Sequence, residues 1–115
     1  MTEEEMQYII DYEVIVDCYD EDEVNMGWYY FMSESLVFPF MAKVPIKKRG
    51  GTTEIHTVEV VGNAIDTDDF GGEAFYVHVD YEGTLMKIEV RDVEPIDGSE
   101  NTLRALAVWR FDKGV

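Results

Sequence analysis

Basic side chains are absent from the first third of this chain: no Lys or Arg precedes Lys43. Residues 1–23 carry ten acids instead, and the whole chain holds 25 Asp+Glu against 9 Lys+Arg, a formal net charge of −16. Such a surface repels DNA, RNA and anionic lipid, so nucleic acid and membrane are excluded as expected partners. It attracts cations and basic proteins; solubility or adaptation to high salt is the plain alternative. Cysteine is nearly missing. The single Cys18 excludes an internal disulfide framework and a multi-cysteine zinc site. Its carboxylate-rich setting raises a thiol pKa, which fits a small, half-buried hydrophobe and not a nucleophile. No apolar run reaches membrane-spanning length, and Met1-Thr2-Glu3-Glu4-Glu5 has the wrong charge for a signal peptide, so the expected location is cytoplasmic. Ser-His-Asp spacing, a phosphate-binding loop, HExxH and CxxC are all lacking, which leaves an enzyme with only carboxylates to work with.

What is present is enough apolar material for one core. At 115 residues, 46% hydrophobic and 13% aromatic, the chain fits a single domain over 1–115. The stretch Val24–Ala42 concentrates the aromatics: Trp28, Tyr29, Tyr30, Phe31, Phe38 and Phe40. Burying them removes large apolar areas from water, so Trp28, Phe31, Phe38 and Phe40 are expected in the core. Thr2 followed by Glu5 fits a helix-capping box. Met6, Ile10, Val14 and Cys18 fall on a helical stripe, although Tyr8 to Cys18 also alternate as a strand would. No Gly or Pro occurs before Gly27, which predicts one long acidic N-terminal helix, with Gly27 as a close-packing point or kink. Ser33-Glu34-Ser35 and Pro39 end it.

Strand patterns follow. Phe38–Ile46 reads as extended, with Pro39 and Pro45 suited to an edge. Lys47-Lys48-Arg49-Gly50-Gly51 is a solvated basic turn, and Ile55–Ile65 is a strand. Ala74–Tyr81 and Thr84–Val90 form a hairpin about Glu82-Gly83. Asn101–Phe111 reads as a C-terminal helix offering Leu103, Leu106, Ala107 and Phe111 to the core. The expected fold is α+β: a small SH3-like curled β-barrel with a long N-terminal acidic helix and a C-terminal helix. His56 and His78, isolated in strand patterns, read as ordinary strand residues.

Two groups of acids are candidate cation sites. The first is the loop Asp66-Thr67-Asp68-Asp69-Phe70-Gly71-Gly72-Glu73. Calcium takes about six to eight hard oxygens, which alternating acids in a Gly-containing loop can supply. Aligned to an EF-hand loop, Asp66 and Asp68 take the first and third positions and Gly71 the sixth. Phe70 then occupies the fifth, Val77 replaces the terminal bidentate Glu, and a strand follows where a helix belongs. The loop is therefore not an EF-hand, and a solvated hairpin loop is its plain alternative. The candidate metal ligands there are Asp66, Asp68, Asp69 and Glu73. The second group is Asp17, Asp20 and Glu21, with Glu13; on a helix their spacing sets them on one face, where a cation or a basic partner relieves the repulsion.

Three segments carry a family resemblance: Glu13-Val14-Ile15-Val16-Asp17-Cys18-Tyr19-Asp20-Glu21-Asp22-Glu23, Gly27-Trp28-Tyr29-Tyr30-Phe31, and Leu36-Val37-Phe38-Pro39-Phe40-Met41-Ala42-Lys43. Together they resemble the CcbP-type family of small acidic bacterial calcium-binding proteins, with its acidic V-D-x-Y segment, G-W-Y and L-x-F-P-F-x-A. Val58–Gly62 and Ala107–Phe111 match more loosely. The chain departs at Val108, where the family tends to an acid, and at Ile88–Val93, where the family's strand carries a proline. The resemblance implies calcium as the ion, clustered carboxylates as its ligands, and no catalysis; with the charge and the Asp66–Glu73 loop it leads to the expectation of a calcium buffer or sensor. A docking module for a basic protein is the rival function class.

Overall fold

The computed structural model describes residues 1–114. Helix α1 spans Glu3–Ile9, and Thr2 caps it by accepting a hydrogen bond from the Glu5 amide at 3.1 Å. The helix widens into a π-helical turn over Ile10–Val14, where the Ile15 amide reaches back to the Ile10 carbonyl. The extra residue turns Ile9, Ile10 and Val14 inward together. There the predicted long helix stops. Asp17 adopts a left-handed backbone, φ 58°, and a new helix α2 begins at Glu21 and runs to Ser35. The N-terminal region is thus two helices, not one. Physically, the β-branched run Val14-Ile15-Val16 carries the chain out of the first helix, and Asp20 caps the second by accepting from the Glu23 amide at 2.8 Å.

The break lets α2 fold back against the π-helical turn. Gly27 sits at the crossing: a Cβ there would lie 2.3 Å from the Val14 carbonyl oxygen. Trp28, Phe31 and Met32 are buried beyond it. A cis Phe38–Pro39 bond then leads into the sheet.

Strands β1 (Phe40–Lys47), β2 (Thr53–Asn63), β3 (Tyr76–Tyr81), β4 (Thr84–Glu89) and β5 (Glu94–Pro95) form one antiparallel sheet in the order β4-β3-β2-β1-β5. Period-two burial places Phe40, Ala42, Val44, Ile46, Val58, Val60, Val77 and Val79 on the inner face. Pro45 is tolerated because β5 pairs only with Ala42 and Lys43, leaving the remainder of β1 an edge. The hairpin between β3 and β4 turns at Glu82 and Gly83, both with positive φ, and Asp80 accepts from the Gly83 amide at 2.9 Å.

The expected barrel does not close. The sheet is open, with β4 and β5 as its edges. Helices complete the core instead: residues of α1, α2 and α3 (Glu100–Lys113) join those of the sheet in one buried cluster. In α3, Ala105, Leu106, Val108 and Trp109 are buried, whereas Leu103 faces out at 43% exposure, against expectation. Trp28 and Trp109 meet edge to face at 5.5 Å, locking α2 to α3. Phe31 and Phe40 are buried as expected, and Phe38 is half-buried, stacked on Phe40. No helix among the described residues is long and apolar enough to cross a membrane.

Candidate functional site: two acidic segments on one edge

The loop between β2 and β3 holds the first group of acids. Asp66, Asp68, Asp69 and Glu73 are all exposed. Asp66 organises the turn: its Oδ1 accepts hydrogen bonds from the amides of Asp68 and Asp69, each at 3.1 Å. This engages one carboxylate oxygen of Asp66. Phe70 does the opposite of its neighbours and points inward, 7% exposed. Its ring lies 6.0 Å from Phe75 and from Tyr29, and 6.1 Å from Trp109. A chain flanked by acids thus has an aromatic anchor at its middle. In the EF-hand alignment Phe70 was the misfit; in the fold it is what holds the loop down.

Asp17, Asp20 and Glu21 occupy the connection from α1 to α2 and the first turn of α2, again exposed. They do not share a helical face, because Asp17 lies in the irregular segment and Asp20 is the capping residue. Glu13 leaves the group altogether. Arg104 of α3 grips it through both guanidinium nitrogens, and this hydrogen-bonded pair holds the Glu13 carboxyl below its ordinary range. Cys18, half-buried beside these acids, has its pKa raised, first by desolvation and then by Glu23, Asp17 and Asp20. It is no nucleophile at neutral pH.

The loop, far from α2 in sequence, packs against it at Asn25. The Asn25 side-chain amide donates to the Gly71 carbonyl at 3.4 Å. The backbone of Gly72, φ 87°, passes so close that a Cβ would lie 2.3 Å from Asn25 Oδ1. Asn25 stands one helical turn beyond Glu21 on α2, so the loop abuts the turn that follows the acidic helix start. Sequence reading missed Asn25, and nothing local marks it; the contact exists only once β2 and β3 have placed the loop. Phe70 was visible as a lone aromatic among acids, a pattern that fits an anchored loop. Among the described residues no three His, Cys, Asp or Glu side chains converge as they would around an ion. The donor chemistry nonetheless suits a hard cation: exposed carboxylates, no imidazole among the candidate ligands, and a thiol kept protonated.

The profile of the CcbP family, described as calcium binding, matches residues 9–112. The chain is similar to the crystal structure of Anabaena CcbP, with a TM-score of 0.82 and 38% identity, covering 96% of this chain and 90% of that one. It is also similar to a calcium-binding protein in its calcium-binding form, with a TM-score of 0.76 and 35% identity, covering 99% and 98% of the two chains. No curated protein sequence matches it.

Proposed function

The chain belongs to the CcbP calcium-binding family, and on that premise we propose that it is a non-catalytic calcium buffer or sensor whose ion sites are built from its two acidic segments. One observation supports this reading. The Asn25–Gly71 contact sets the Asp66–Glu73 loop beside the start of α2. Asp66, Asp68, Asp69 and Glu73 are the principal ligands, and Asp17, Asp20 and Glu21 the weaker second set. Without a cation, clustered carboxylates repel one another; an ion removes that repulsion and adds coordination. The side chains close on it from an open arrangement, while Phe70 and Asn25 keep the backbone in place. An irregular loop of this kind suits the variable coordination of calcium better than the strict octahedron of magnesium. Ordering exposed side chains opposes binding, so the expected dissociation constant is roughly micromolar or weaker.

Calorimetric titration with calcium, in physiological salt and with magnesium present, is the test. A saturable heat that magnesium does not abolish supports the reading. No heat, or equal competition by magnesium, removes it.

A further inference from the structure

Away from the proposed calcium ligands, α1 and α3 leave an open groove of about 910 Å³ between them. Its apolar lining comes from Met1, Tyr8, Ile9 and Leu103. Tyr8 is 61% exposed and Leu103 43%, although the spacing of apolar residues in α3 would place Leu103 in the core. Tyr12 extends the apolar surface onto the π-helical turn, its ring 4.6 Å from that of Tyr8. Glu4, Glu5 and Glu100 supply the acids of the groove. Its one basic side chain, Arg104, is bound to Glu13 through two guanidinium nitrogens, so that charge is already neutralised.

We propose that this groove docks a basic amphipathic helix of a partner protein. The apolar lining takes the apolar side of such a helix, and Glu4, Glu5 and Glu100 take its Lys and Arg residues. The charge of the chain selects this occupant. A second copy would bring another −16 against the first, and an anionic lipid surface meets the same repulsion. From Glu3 to Val14 the first helix and its π-turn run for roughly 18 Å, enough for about three turns of a partner helix alongside. None of the proposed calcium ligands lies in the groove, so the proposal stands or falls independently of the calcium reading.

The test is run in a calcium chelator at physiological salt, with fluorescence anisotropy as readout. The probe is a labelled synthetic Leu/Lys peptide with its Leu residues on one helical face; the control has the same composition in scrambled order. The amphipathic peptide should bind at least about tenfold more tightly than the scrambled one, and Leu103→Asp should weaken it at least about tenfold. Leu103→Ala should weaken it in the same direction by less. Leu103 is exposed, so circular dichroism should show both variants folded. Equal binding of the two peptides, or binding indifferent to Leu103→Asp, would reduce the effect to general attraction by an acidic surface and overturn the proposal. Absence of binding would overturn it too. Sedimentation showing self-association that Leu103→Asp abolishes would assign the groove to a second copy instead.

Discussion

The Asp66–Glu73 loop and the Asp17–Glu23 segment carry the same sign of charge, yet they are held in different ways. The loop is fixed from within: Phe70 sits in the aromatic cluster with Tyr29, Phe75 and Trp109, and Asp66 ties down two amides of its own turn. The segment has no such anchor. Tyr19, its aromatic, is 86% exposed, and order comes from its flanks, through the Asp20 cap and the Gly27 crossing. Two equally acidic stretches therefore differ in how much backbone is already positioned before an ion arrives. Pre-positioned backbone lowers the ordering cost of binding. This is the ground for proposing the loop, before the segment, as the principal calcium site.

The largest effects test the supports of the two regions. Trp28→Ala, in the α2–α3 contact beyond the segment, and Phe70→Ala, beneath the loop, should each cost about 3–5 kcal/mol in urea unfolding, as large-to-small core changes do. A near-neutral Phe70→Ala would mean that the loop is not anchored, and the contrast between the regions would be lost. Gly27→Ala comes next. Its new Cβ meets a backbone carbonyl, not a flexible side chain, so a cost of about 1–3 kcal/mol is expected from thermal unfolding. An unchanged Tm would show that the crossing of α2 over the π-helical turn gives way easily.

The smallest stability effect concerns Glu13, the acid withdrawn from the segment by Arg104. Its carboxyl pKa is lowered, chiefly by the hydrogen bond from Arg104. A carboxyl held lower in the folded state stabilises fully above its ordinary value of 4.5, and the contribution is lost as pH falls through the lowered value. The pair is partly exposed, 33% for Arg104 and 41% for Glu13, so water screens it and about 1 kcal/mol is the upper bound. Arg104→Gln should lower stability by no more than that near neutrality. The gap to the parent chain should narrow in more acidic urea titrations; a gap that widens there would contradict the assignment.

Much of the sheet was readable because period-two patterns and turn residues are local. The β3–β4 hairpin turns at Glu82-Gly83, where the pattern placed it, and Val58 and Val60 face inward. The N-terminal helices were not readable in the same way. The lack of Gly and Pro before Gly27 argued for one continuous helix, yet Asp20 followed by Glu23 is itself a helix-start pattern, and here that pattern governs. Leu103 misled because apolar residues surround much of α3, so spacing alone does not select its buried side. The open sheet depends on helices filling the inner face, a tertiary matter that strand count does not decide. Among the acids, the sequence proposed both candidate groups, but not that the loop packs against α2, because the Asn25–Gly71 contact spans 46 positions of chain.

The most direct measurement compares Asp68→Asn with Asp20→Asn by calcium calorimetry on the otherwise unchanged protein. Asparagine caps helices about as well as aspartate, so Asp20→Asn leaves α2 capped, and Asp68 is exposed, so both variants should fold. The account predicts that Asp68→Asn weakens calcium binding far more than Asp20→Asn. Equal losses, or a dominant loss with Asp20→Asn, would contradict it and move the principal site to the start of α2.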